Sequence, residues 1–421
     1  MLRASQKPSF FHPSLPLAPF GRSLAGALLL GLGAGALGSG CVPKRKAESS
    51  APSSAPSTPP PPQSTQFNHS AALSVPSLAA SYARFFPIGA ALEPTQIGVV
   101  GDLVAHHFVR LTAENAMKLG QVCARPECSY GAADTLAAFA REHQMQMTGH
   151  AFVWHQMYPA WFFSGGEKKA TASQVSERLR THIFQMTERY ADVIDNWDVV
   201  NEAISDSLPK TYRDGAEGSV WYEAFGGPGY IRAAFEFAQK AAEAHDPTVK
   251  LYYNDYNVVR PEKRKKILEM VRELRASGVR VDGVGMQAHW NIEWPSAADI
   301  DATIKELAAE NLLVKVSELD ISVYARDNHD TKVWQAAVPD SPELERRLAA
   351  RYKEIFRVFQ DNAAVLDHVT FWGVTDEKSW LNYWPSRRNN YPLLFDARHE
   401  PKPSFHAVLE LAQSAPTSAA E

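Results

Sequence analysis

Glu202 closes the run Trp197-Asp198-Val199-Val200-Asn201-Glu202, and Glu318 lies within Val316-Ser317-Glu318-Leu319-Asp320. Each carboxyl sits at the end of a short apolar stretch of β-strand character, where a side chain is carried out of a sheet onto its rim. Two such acids facing one another can break the acetal bond between two sugars. One donates a proton to the leaving oxygen, and the other attacks or activates water. A lone Glu is more often a solvated surface group, so the setting of the pair decides its meaning.

The elements that must hold the pair are legible from residue 72 to 414. Short apolar runs at 86–88, 108–111, 147–152, 193–200, 251–253, 284–286, 313–316 and 369–372 alternate with longer helical patterns. Eight strands so spaced predict an α/β fold, a (β/α)8 TIM barrel forming a single catalytic domain. No glycine-rich phosphate loop follows the first run, which weighs against a dinucleotide fold. Pro261 should open a helix with Ile267, Met270, Val271 and Leu274 on its inner face, stopped by Gly278. Ser296, with Asp299 three residues later, should cap a second. Ser341-Pro342 should begin a third, with Leu344, Leu348, Ile355 and Phe359 inward.

Polar and aromatic residues follow nearly every one of these runs. Glu114, Asn115 and Lys118 come after the second, and His150, Trp154 and His155 end the third. Tyr256 follows the fifth, Gln287 and His289 the sixth, and Trp372 and Trp380 the eighth. A barrel gathers its catalytic groups on the rim formed by strand C-terminal ends, so the convergence points to one groove. His150 and His155 are five residues apart, which on a regular strand puts them on opposite faces. No His or Cys set has metal-ligand spacing, so neither a metal nor a cofactor is expected.

The ordered motifs closely resemble glycoside hydrolase family 10, the endo-β-1,4-xylanases. They include the Trp-Asp-Val-Val-Asn-Glu run to Glu202, the Glu318-Leu319-Asp320 run and Trp372-Gly373-Val374-Thr375-Asp376. Phe395-Asp396 followed by Lys402-Pro403 completes the set. The resemblance implies retaining, double-displacement hydrolysis, with Glu202 as acid/base and Glu318 as nucleophile. Retention needs the carboxyls roughly 5–5.5 Å apart. By the same resemblance His289 hydrogen-bonds Glu318, and Asn201 holds the 2-hydroxyl of the sugar under attack. Glu114, Asn115, Lys118, His150, Trp154 and Gln287 would bind sugars on the non-reducing side of the cut. Trp372 and Trp380 would pack over that side, and Tyr256 would stack on the leaving-group side. The implied partners are xylan and xylo-oligosaccharides. A β-1,4-glucan substrate, or an inactive sugar-binding barrel, are the competing readings.

Composition adds bounds. Lys plus Arg number 43 against 47 Asp plus Glu, a net charge of −4, which gives no electrostatic footprint for nucleic acid. The Arg3, Lys7 and Arg22 leader precedes an apolar run over 24–37 that is too short to span a bilayer and reads as an export signal. Cys41 after Leu37-Gly38-Ser39-Gly40 resembles a bacterial lipoprotein cleavage site. Residues 1–41 are therefore read as an export signal of lipoprotein type, and 42–71 as a Ser/Pro-rich linker. Residues 72–414 form the barrel and 415–421 a tail. The protein is expected to be a monomer, exported as a cell-surface lipoprotein or secreted. Any membrane contact would run through a lipid on Cys41. Cys123 and Cys128, in an exported chain, are candidates for a local disulfide.

Overall fold

The computed structural model describes residues 67–327 and 329–414. The export signal, the Cys41 site, the linker up to residue 66 and the tail lie outside the described residues. Nine strands form one sheet: β1 Ile88–Leu92, β2 Arg110–Ala113, β3 Gln146–Trp154, β4 Ile194–Asn201, β5 Lys250–Asp255, β6 Gly283–Met286, β7 His289–Asn291, β8 Leu313–Ser322 and β9 Leu366–Phe371. Every pairing is parallel, β1 pairs with both β2 and β9, and β6 pairs with β8. That last pairing closes an eight-stranded barrel. β7 continues β6 past Ala288, whose φ of +62° turns the chain before it resumes along β8.

The eight runs read from the sequence all become barrel strands, with the first two displaced toward the C-terminus, the second from 108–111 to Arg110–Ala113. The first strand was expected at 86–88 and runs instead from Ile88 to Leu92. Its Gly89-Ala90-Ala91 centre carries none of the bulk that marks a strand in sequence. The small residues are required by packing, because a Cβ at Gly89 would stand 2.8 Å from the Arg110 Cβ. Gly149 serves the same purpose in β3, where a side chain would overlap the Trp197 indole.

The helices form where the periodicity and caps place them. Pro261–Ala276 begins on its proline, and Gly278 follows its end at φ +82°. Ala297–Ala309 starts with a reciprocal Ser296–Asp299 capping box, and Pro342–Asp361 with Ser341 accepting from the Leu344 amide. Their inner faces are fully buried at Ile267, Ile300, Ile304, Leu348, Ile355 and Phe359. Residues 67–71, placed in the linker from sequence, pack on the barrel: His69 is buried and bonds to Asp102 and His399. Among the described residues no helix is long and apolar enough to cross a membrane.

The barrel interior is unusually polar. Lys315 of β8 is fully buried, with its ammonium 2.7 Å from the Asn196 amide oxygen and 2.8 Å from Asp198. Asp198 also receives His150 at 2.9 Å. Burial alone would raise the Asp198 pKa, but Lys315 and His150 outweigh it and hold the carboxyl below its ordinary value. The charges are thereby neutralised within the layer directly beneath the catalytic rim, which is what a buried ionic group requires to be tolerated.

Candidate active site

Glu202, the residue just past β4, and Glu318, within β8, reach the same rim, each carboxyl almost completely buried. Asn254, at the end of β5, lies between them. Its amide nitrogen is 2.8 Å from Glu318 Oε1 and 2.9 Å from the Asn201 amide, while its side-chain oxygen accepts from Ser317 at 2.6 Å. Gln287 Nε2 donates to Glu202 Oε1 at 2.9 Å and lies 3.2 Å from the Asn201 amide. A continuous chain of amides therefore links one carboxyl to the other. Trp154 Nε1 donates to the second oxygen of Glu202 at 2.9 Å.

Glu202 itself has φ +57°, a left-handed conformation uncommon outside glycine and costing on the order of 1 kcal/mol or more. The turn is held from several sides. The Glu202 amide donates to the Asn254 carbonyl at 2.9 Å, and Arg213 donates to the Glu202 carbonyl at 3.1 Å. Tyr253 Oη accepts from the amides of Ala203 and Ile204, both at 3.0 Å. Those contacts carry the side chain into the groove.

Glu318 has a different second partner. His289 lies 3.1 Å from Glu318 Oε2 through Nε2 and 3.0 Å from Asp320 through Nδ1, and Trp380 Nε1 donates to Asp320 at 2.7 Å. Burial pushes the imidazole pKa down, but Asp320 and then Glu318 more than reverse this and raise it to about 10. The ring is thus an imidazolium at neutral pH, with both N–H groups donating to carboxylates.

The residues assigned to the non-reducing side gather next to this pair. Asn115 donates to Glu93 at 2.6 Å and accepts from Lys118 at 2.9 Å. The Lys118 ammonium stands 4.6 Å from the Trp154 ring centre and 5.8 Å from that of Trp372. Burial lowers its pKa, opposed by Glu318, Glu114, Glu202 and Glu93. Glu114 is pushed up to about 7, by burial first and then by Glu93. The Trp372 ring meets His150 edge-on at 5.4 Å and His289 at 6.2 Å, and Trp380 meets His289 at 4.8 Å. Tyr256 lies on another side of Glu202. Its hydroxyl accepts from the same Arg213 at 2.7 Å, and the Lys263 ammonium sits 3.7 Å over its ring.

One expectation fails. His150 and His155 do not diverge: His150 bonds to Asp198, and His155 Nδ1 stands 3.8 Å from Glu202 Oε2. The β3–β4 ladder slips between His150 and Val153, which breaks the strict two-residue alternation. Asn254, Arg213 and Glu93 were not singled out as site residues. Asn254 carried a signal in Tyr253-Asn254-Asp255, since an amide ends a strand there; Arg213 and Glu93 carried none. Among the described residues no group of three or more His, Cys, Asp or Glu could hold a metal. Cys123 and Cys128 are joined as a disulfide, and the Cys123 carbonyl accepts from the Trp161 indole at 2.8 Å.

Comparison with known proteins agrees with this geometry. The profile of glycosyl hydrolase family 10 matches residues 77–411. Endo-1,4-beta-xylanase B of Paenibacillus barcinonensis is 39% identical over 340 residues, covering 80% of this chain and 98% of that protein. Endo-1,4-beta-xylanase of Geobacillus stearothermophilus is 36% identical over 342 residues, covering 80% and 99%. The crystal structure of a Paenibacillus barcinonensis xylanase bound to a conduramine derivative superposes with a TM-score of 0.74 at 38% identity, covering 80% of this chain and 98% of that one. Xylanase B of Clostridium stercorarium F9 gives 0.73 at 37% identity, with 80% and 100% covered. With one profile spanning nearly the whole barrel and relatives matched over almost their full length, the chain belongs to glycosyl hydrolase family 10.

Proposed function

We propose that this protein is an endo-1,4-β-xylanase that hydrolyses internal xylosidic bonds of xylan with retention of configuration. Glu318 attacks the anomeric carbon while Glu202 protonates the departing oxygen, leaving a glycosyl ester on Glu318. Water, deprotonated by Glu202, then displaces the ester and regenerates both groups. The observation that carries the reading is the asymmetry of the two buried acids. Glu318 is fastened to a cationic His289 and to the Asn254 amide. Glu202 receives the Trp154 indole and the Gln287 amide, on a turn that can present its oxygen to a leaving group. The Asn201 amide, set between them, suits the 2-hydroxyl of the sugar being cleaved, a contact that strengthens as positive charge develops at the ring. Trp372 and Trp380 supply flat apolar surface for sugar rings on the non-reducing side, and Tyr256 supplies it beyond the cut.

The leader and Cys41 support export, with either a lipid-anchored or a freely secreted mature form, and the Ser/Pro stretch would serve as the tether. We take the enzyme to act as a monomer. The mass of the mature N-terminus distinguishes the two forms.

The test of mechanism is Glu318→Gln. Reducing-sugar release from xylan should fall by on the order of 10³-fold or more, and activity near that of the parent enzyme overturns the assignment. Glu202→Ala should be far less damaging on aryl xylosides with good leaving groups, which need little protonation, than on xylan.

A further inference from the structure

We infer that Trp334 and Tyr383 form an additional sugar-binding platform, continuing the groove past Trp380 and engaging longer xylan chains. The inference rests on the xylanase reading above and extends it to chain-length preference.

Trp334 is 47% exposed and Tyr383 48% exposed, among the most exposed large aromatic groups of the described fold. They meet edge to face, ring centres 6.0 Å apart and planes at 67°. The Arg387 guanidinium lies 5.4 Å from the Trp334 ring centre, yet about half of the indole still faces water. Solvent-exposed indoles that are nevertheless fixed in place point to a binding surface.

Both parts of the platform are fixed to strands or turns of the active site. The Tyr383 and Trp384 amides donate to the Trp380 carbonyl at 2.9 and 3.1 Å, so Tyr383 is one turn from the indole that holds Asp320. Trp334 belongs to the long connection after β8, the strand that carries Glu318. That connection is tied down: the Gln335 amide donates to the Arg387 carbonyl at 2.7 Å and the Arg387 amide to the Asp330 carbonyl at 3.2 Å. The Val338 amide donates to Tyr324 Oη at 3.0 Å, and the Arg388 guanidinium pairs with Asp327 at 2.6 Å while covering the Tyr324 ring at 3.4 Å. The surface is therefore aromatic and tied to the turn that carries Trp380. A pyranose offers C–H groups to a ring face and hydroxyls to neighbouring polar groups such as Arg387, and a xylan chain threading past Trp380 has such a sugar to present.

The test compares kcat/KM on xylohexaose with that on xylotriose for the full enzyme, Trp334→Ala, Tyr383→Ala and Trp334→Phe. The ratio of the two should fall about five- to tenfold in each alanine variant, chiefly through KM, as expected for loss of one aromatic contact made equally in ground and transition states. Trp334→Phe should recover part of it. Cleavage of both substrates by the parent enzyme with an unchanged ratio in the variants, or equal losses on both, overturns this inference alone. A parent enzyme that leaves xylohexaose intact overturns the xylanase reading and this inference with it.

Discussion

At the scale of single residues, His289 has the most to reveal, because its two ring nitrogens face two different carboxyl groups. Burial opposes its protonation, but Asp320 and Glu318 raise the imidazole pKa from 6.5 to about 10. The folded value exceeds the unfolded one, so the stabilisation is fully present below about 6.5 and is lost as pH rises through about 10. Urea denaturation followed across that window should show stability falling with pH, and His289→Gln should flatten the slope. The same substitution removes the cation beside the nucleophile and leaves Asp320 with one donor fewer beside Trp380. The kcat on xylan should drop on the order of a hundredfold with a smaller change in KM, as for loss of a preorganised electrostatic contact. A pH–stability slope identical in parent and variant contradicts the imidazolium assignment.

At the scale of elements, the turn after β4 depends on β5. Tyr253 Oη accepts from two consecutive amides of that turn and itself donates to Asp255, which pairs with Lys263 at 2.7 Å. Burial, only partly offset by Lys263, pushes Asp255 up to about 6. Tyr253→Phe keeps the ring packed and leaves both amides and Asp255 short of a partner. It should cost about 1–3 kcal/mol in urea denaturation and lower kcat by misplacing Glu202, with little effect on KM. This brace also shows what a sequence can disclose. Asn201-Glu202 announces itself because strand, turn and acid are contiguous. The partner that orients the turn lies about 50 residues away on another strand, and only barrel closure brings it there. His155 was misplaced for a related reason: alternation predicts facing within a regular ladder, whereas a slip in register depends on the neighbouring strand. The first barrel strand was blurred because Gly89 and Ala90 answer to packing against Arg110 rather than to strand propensity.

For the whole molecule, the open question is where the folded unit begins. The family profile starts at residue 77, and from the Ser/Pro composition residues 42–71 read as tether. The described contacts with the barrel begin at Phe67. His69 Nδ1 lies 2.7 Å from Asp102, its Nε2 lies 2.7 Å from His399, and His399 reaches Glu377 at 3.0 Å, with Phe67 stacked on His399 at 3.8 Å. These contacts, centred on the buried His69 and His399, thus tie the entering segment to the helix Ile97–His107, to the turn after β9 and to the loop ahead of the final helix, Pro403–Ser414. The Ala72 and Val75 carbonyls accept from His107 and His106 at 2.9 Å, and Ala72 is fully buried. A chain starting at Ser77 would strip partners from His107, His399 and Asp102 and uncover apolar surface. An unsatisfied buried polar group costs about 1–3 kcal/mol, so the shorter chain should melt lower than one starting at Phe67 by about 5 °C or more. Calorimetry on the two chains decides it. His399→Ala in the longer chain should reproduce part of the loss, and equal melting temperatures for both lengths would show that the histidine pair is incidental to stability.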